Sequence, residues 1–181
     1  MTEQTGAVRH AGYVAIIGRP NVGKSTLLNR LIGQKLAITS HKAQTTRHAI
    51  LGIRTLPTGQ IVYIDTPGIH KRGESALNQY LNRAARALLA DADLALFVVQ
   101  AQAWNAEDQV ALEALQLAGT PVVAVVNKVD RVEDKAVLLP YLDELSRRHV
   151  FVAVVPASAK TGDNLAELEQ VVLRALPEGD N

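Results

Sequence analysis

Cysteine is absent from the 181 residues, which excludes disulfides and any zinc site built on thiolates. Aromatic residues make up only 4% of the chain. A core must therefore be built mainly from Ala, Val and Leu, which suits a parallel sheet under helices. Long apolar runs are lacking too, since none approaches the roughly 20 residues that cross a bilayer. Residues 1–10 are polar and carry no apolar stretch of a signal peptide. An excess of one charge is also missing. A net charge of +1 gives no broad electrostatic footprint for nucleic acid. Basic residues do gather locally, at Lys42, Arg47 and His48 and again at His70, Lys71 and Arg72. His10, His41, His48, His70 and His149 are scattered without ligand spacing, which argues against a metal site built on them. The expectation is one soluble, intracellular domain with a sizeable core.

What is present is concentrated at residues 18–25: Gly18, Arg19, Pro20, Asn21, Val22, Gly23, Lys24 and Ser25. An apolar run, 13–17, precedes this stretch, and an amphipathic run opening with Thr26 follows it. A buried strand thus stops at a glycine, wraps a loop and starts a helix at Lys24, the context of a phosphate-binding loop. Backbone N–H groups aimed into the wrap and the partial charge of the helix N-terminus attract phosphate. Lys24 adds a full charge for the β- and γ-phosphates, and the Ser25 hydroxyl is a candidate Mg²⁺ ligand. A plain glycine turn in a βα unit is the competing reading, and the strand-then-helix setting disfavours it.

Beyond the first helix, residues 33–47 are polar and aperiodic, as functional loops are. Strands are predicted at 49–56 and 60–65, and the short connection Pro57, Thr58, Gly59 makes them antiparallel. A helix is predicted at 74–89, followed by strands 94–99, 122–126 and 150–155 alternating with helices 107–117, 134–148 and 164–176. Pro140 falls in the first turn of the main part of its helix or kinks it. The pattern is an α/β fold of about six strands and five helices, a mixed sheet with one antiparallel edge strand. Residues 177–181 read as a frayed end.

The remaining motifs lie at strand C-terminal ends, where open α/β sheets bind ligands. Asp65, Thr66, Pro67 and Gly68 follow one strand. Asp65 is placed to hold Mg²⁺ directly or through water, and Gly68 to offer an unobstructed N–H to a γ-phosphate. Asn127, Lys128, Val129 and Asp130 follow another strand. A carboxylate at Asp130 can accept from guanine N1–H and N2–H₂, a donor pair adenine lacks. Asn127 would brace neighbouring loops, and the Lys128 stem would lie on the base. Ser158, Ala159 and Lys160 follow the last strand, where a backbone N–H can meet guanine O6. In the polar loop, Thr45 and Thr46 both offer a hydroxyl able to bind Mg²⁺ only while a γ-phosphate is present.

In this order the motifs resemble a Ras-like P-loop GTPase domain, 13–176, between an N-terminal tail, 1–12, and a C-terminal tail, 177–181. The resemblance narrows to the bacterial TrmE–Era–EngA group, through the run from Gly18 to Asn29, the run Gln44, Thr45, Thr46, Arg47, and Asp65 to Gly68. Within the group, Gly33 to Lys35, Ile38 to Ser40, Lys42 to His48 and Asp134 to Pro140 are similar to the Era branch. The resemblance selects Thr46 over Thr45. It implies GTP and GDP binding with Mg²⁺, slow GTP hydrolysis, and a role in small ribosomal subunit maturation through 16S rRNA. It also implies a cytoplasmic protein associated peripherally with the inner membrane. That branch carries a C-terminal KH domain for RNA, which these residues do not include. Ile69 stands where Ras-type proteins carry the glutamine that orients water. Asn21 resembles the asparagine with which TrmE-like members hold K⁺; a turn-stabilising role is the alternative. Other readings are a tandem-domain or tRNA-modifying relative, and a binding module that scarcely hydrolyses GTP. A P-loop kinase would have no use for Asn127 to Asp130.

Overall fold

Two runs of the chain, Leu94–Gln100 and Val122–Asn127, are buried along almost their whole length. Only strands covered on both faces tolerate such continuous apolar sequence. The structure, a computed structural model, describes residues 8–33, 50–65 and 83–179. In chain order the elements are β1 His10–Ile17, α1 Lys24–Ile32, β2 Ile50–Leu56, β3 Gly59–Asp65, α2 Arg83–Asp91 and β4 Leu94–Gln100. There follow α3 Ala106–Ala118, β5 Val122–Asn127, a 3₁₀ turn Val129–Arg131, α4 Lys135–Arg148, β6 Ala153–Pro156 and α5 Leu165–Ala175.

The six strands form one sheet in the order β2-β3-β1-β4-β5-β6. Only the β2–β3 pair is antiparallel; the other four pairings are parallel. Side chains alternate between two cores as the pleat requires. Ala15, Ile17, Phe97, Val99, Ala124 and Val126 meet α2, α3 and α4 on one face. Val14, Ile16, Leu96, Val98, Val123 and Val125 meet α1 and α5 on the other. Helix α3 is set by a capping box, in which Asn105 accepts from Asp108 N while Asp108 accepts from Asn105 N.

The predicted mixed α/β sheet is present, with differences at element ends. β1 begins at His10 rather than residue 13, because His10 to Gly12 continue the parallel register with Gly59 to Ile61. Residues 177–179 are not frayed: Ala11 N donates to Pro177 O at 3.0 Å and Gly179 N to Arg9 O at 2.9 Å. β6 begins at Ala153, not 150. The chain turns before it, with Phe151 N donating to His149 O, and leaves Val150 93% exposed. α2 runs to Asp91, two residues past its predicted end, and the rest of the predicted 74–89 helix lies outside the described residues. Pro140 stands within α4, the sixth residue of a helix capped by Asp134, whose carboxylate accepts from Ala136 N at 3.0 Å.

Two leucines of α3 test the assignment of faces. Leu115 is fully buried and Leu117 is 64% exposed. Leu115→Ala is expected to lower the unfolding free energy by about 2–5 kcal/mol in urea denaturation, and Leu117→Ala by less than about 0.5 kcal/mol. Equal losses would reverse the orientation of the helix.

Candidate nucleotide site at the strand ends

β1 lies between β3 and β4, the point at which the sheet order reverses direction, and ligands of open α/β sheets bind there. The loop leaving β1 is shaped by crowding. A Cβ on Gly18 would fall 2.6 Å from Val98 O, so the backbone passes the end of β4 only without a side chain. Asn21 and Gly23 both adopt left-handed backbone, at φ 68° and 98°. Gly23 caps α1, and a Cβ there would lie 2.4 Å from Asn127 Nδ2. Val22 is fully buried between α1 and α5, so only its backbone serves the rim.

The first turn of α1 has no acidic residue and no side-chain cap. Its positive end is thereby left for an anion. Lys24 Nζ donates back to Gly18 O, across the mouth of the loop. Ser25 and Thr26 are exposed on the same turn, as are Pro20 and Asn21 in the loop.

β5 delivers the second cluster. Asn127 is 2% exposed and uses both ends of its amide. Nδ2 donates to Val22 O at 2.8 Å, and Oδ1 accepts from Ala159 N at 3.0 Å. Lys128, left-handed at φ 66°, lays its side chain toward the loop, and its Nζ donates to Asn21 O at 2.7 Å. Burial, with Arg131 and Arg19 nearby, draws its ammonium pKa down. Val129 is buried in the core beneath. Asp130 is exposed, and its Oδ1 accepts from Ser158 Oγ at 2.7 Å. That hydrogen bond, helped by the charges of Lys160 and Arg131, holds the Asp130 carboxyl below the usual carboxylate range. Ser158 is itself fixed, because its Oγ accepts from Thr161 N at 3.1 Å and its N donates to Asp163 O at 3.1 Å. The N–H groups of Ser158 and Ala159 are thus both engaged, which leaves that of Lys160 as the candidate donor to a base. Arg30 of α1 holds the Lys160 carbonyl at 2.6 Å.

The structure therefore brings together the residues predicted from 18–26, 127–130 and 158–160. β3 ends at Asp65, whose backbone is in register with Ile16 beside the start of the loop. Thr46, Thr66, Pro67, Gly68 and Ile69 lie outside the described residues. Among the described residues, no group of three or more His, Asp and Glu could hold a metal.

The side chain of Arg19 turns out of the loop. Its Nε donates to Asp108 Oδ2 and its Nη2 to Ala103 O, each at 3.1 Å. The side chain thus reaches α3 rather than the mouth of the loop. Asp108 is fully buried, and burial pushes its carboxyl pKa up against the pull of Asn105 N–H and Arg19. Sequence reasoning missed Asp108, which reads there as an ordinary acid in a helix's first turn.

A phosphate loop at the switch point, facing a braced Asn127 to Asp130 turn, defines a Ras-like GTPase domain. The chain belongs to the family whose model, described as 50S ribosome-binding GTPase, matches residues 13–128. Over all 181 residues it is 54% identical to GTPase Era of Pseudomonas aeruginosa. It spans 59% of that protein's length. It is similar to the structure of Era in complex with MgGDPNP and nucleotides 1506–1542 of 16S ribosomal RNA, with a TM-score of 0.77 and 40% identity. That match covers 96% of this chain and 59% of the other. A variant of Era from Aquifex aeolicus bound to GDP and aluminium fluoride matches with a TM-score of 0.75 and 40% identity, over 94% of this chain and 58% of that one.

The link from Ser158 to Asp130 carries a prediction. Asp130 stays ionised until pH falls below its depressed pKa, so any binding through its carboxylate should be flat from pH 8 down to about pH 5. Ser158→Ala removes the hydrogen bond, raises the Asp130 pKa, and should shift the acid loss of nucleotide binding to higher pH. Calorimetric titration with GDP across pH checks this; superimposable profiles would disprove the link.

Proposed function

We propose that this chain is the nucleotide-binding domain of a GTP-hydrolysing switch that acts in maturation of the small ribosomal subunit. The observation that carries the proposal is Asp130, pre-set by Ser158 and tied through Asn127 to the phosphate loop. Its carboxylate accepts two hydrogen bonds from the guanine edge, and the Lys128 stem covers the base. Lys160 N–H is the candidate donor to guanine O6. At the other end, the N-terminus of α1 and Lys24 receive the phosphates, Lys24 exchanging Gly18 O for a phosphate oxygen.

The donor set for a divalent cation is hard oxygen, the Ser25 hydroxyl on the exposed face of α1 with the Asp65 carboxylate, and Thr46 as a third ligand in the triphosphate state. Such a set fits Mg²⁺. When bound, Mg²⁺ would neutralise charge on the β- and γ-phosphate oxygens. Gly68 N–H would engage the γ-phosphate. The Era complex with MgGDPNP and 16S rRNA supports both guanine nucleotide and small-subunit rRNA as partners of the whole protein. Sedimentation with small ribosomal subunits, in GDP and in a GTP analogue, tests the switch; identical co-sedimentation would count against it.

The base assignment has a direct test. Asp130→Asn should weaken GDP binding by roughly 10²-fold or more and favour xanthosine diphosphate, whose 2-oxo group accepts from an amide. Competition among GDP, XDP and ADP measures this, and an unchanged GDP affinity would refute the role of Asp130.

Hydrolysis needs a counter-charge between the β- and γ-phosphates, and Ile69 cannot orient water. An arginine in that role is worth roughly 10³–10⁵ in rate. The exposed left-handed Asn21 is our candidate to hold K⁺ there by its side-chain carbonyl. Single-turnover GTP cleavage should be faster in K⁺ than in Na⁺ at equal ionic strength, and Asn21→Ala should erase the difference while GDP still binds. Equal rates in the two salts would sink the cation role and leave Asn21 as a turn residue.

A further inference from the structure

Arg19 is the second residue of the phosphate loop, yet its guanidinium leaves the loop altogether. Nε donates to Asp108 Oδ2 and Nη2 to Ala103 O, with side-chain exposures of 14% for Arg19 and 0% for Asp108. Taking two charges out of water is costly, and a hydrophobic pair of similar size would fill the space more cheaply. Stability alone is a poor account of the pair. A guanidinium fork, by contrast, fixes direction.

The far end of this strut is firmly set. Asp108 Oδ2 also accepts from Asn105 N at 2.9 Å, inside the capping box of α3. Trp104, next to Ala103, stands edge-on to Phe97 with ring centroids 6.0 Å apart, and Arg148 of α4 lies over its face at 4.3 Å. Tyr141 OH donates to Gln100 O at 3.1 Å. Segment 100–108 is therefore anchored to β4 and α4, and the near end of the strut is the phosphate loop itself. Asp108 Oδ1 is buried with no partner among the described residues. The carboxylate can thus also take both nitrogens of Arg19, which would release Ala103 O and let the loop shift. That second arrangement would make the ion pair a coupling element rather than a fixed rivet.

We propose that Arg19 is a positioning residue for the phosphate loop: through Asp108 and Ala103 it ties the loop to segment 101–108, so that nucleotide occupancy and the state of that segment are coupled. Coupling of this kind is reciprocal, so a partner that grips the segment around Trp104 changes how tightly nucleotide is held. The inference rests on the guanine-nucleotide reading.

The test uses the 181-residue chain, its one tryptophan, Trp104, and a fluorescent GDP analogue. Binding of the analogue to the unaltered chain is measured first. No binding overturns the nucleotide reading and this inference with it. Given binding, Arg19→Ala and Asp108→Asn should each speed release of the analogue by roughly tenfold. The double variant should be no faster than either single one, because the strut is lost only once. Trp104 emission should change on GDP addition in the unaltered chain and not in the variants, a readout that mere loss of stability does not mimic in chains that remain folded by circular dichroism. Release within twofold of the unaltered chain, or effects that multiply in the double variant, overturn the proposal. If the variants do not fold, Arg19→Lys is compared by the same release assay, and the Trp104 response of the unaltered chain decides. An emission unaltered by GDP overturns the coupling.

Discussion

Asn127 places an amide at the C-terminal end of a strand whose six residues are all buried, where each polar atom needs a partner. Its two hydrogen bonds, to Val22 O and from Ala159 N, fasten three loops that are more than 20 residues apart in the chain. A leucine, similar in branching but apolar, would leave that carbonyl and that N–H unsatisfied, at about 1–3 kcal/mol each. An aspartate would bring a negative charge against the Val22 carbonyl. Gly23 follows from the same interaction, since a Cβ there would occupy the space of the amide. The choice of residue at 127 thus dictates the residue at 23.

The rim is built against local preference. Asn21 and Lys128 are non-glycine residues in left-handed backbone, a conformation that costs roughly 1–2 kcal/mol per residue. Asn tolerates it through local hydrogen bonding, whereas lysine has no such relief. The strain at Lys128 is offset by the bond it makes with Asn21 O, one strained residue holding another. Strain of this kind collects where a backbone must present its groups to a ligand.

The sheet was legible in the sequence because both its faces are covered. Continuous apolar runs at β4 and β5, and the two-residue link between β2 and β3, leave few alternatives. Element ends were less legible, for a physical reason. His10 joins β1 because of partners remote in sequence, Gly59 and Glu178, whereas Val150 stays out of β6 because the chain turns locally at His149. The candidate site was readable where chemistry repeats as a local motif, as at 18–25 and 127–130. The Ser158 hydroxyl as the orienter of Asp130, and Arg19 as a tether, depend on pairs 28 and 89 residues apart, which no window along the chain can register.

Those distant pairs explain how the two ends of the site act together. From Val22 a continuous path of bonds runs through the Asn127 amide to Ala159, and from Ser158 Oγ to Asp130. A group that fixes Asp130 therefore also limits the phosphate loop, and the ordering of one end lessens the entropy lost in ordering the other. Arg19 holds the same loop from a different direction, toward the face covered by α2, α3 and α4. Asn127 and Lys128 contribute one grip with a neutral amide and an ammonium that bond to carbonyls; Arg19 contributes the other with a buried charge pair. Bonds of fixed geometry to backbone groups suit a base that is recognised by shape and donor pattern. In the proposed switch, a charged fork with a spare acceptor would suit a loop whose anionic ligand changes by one phosphate.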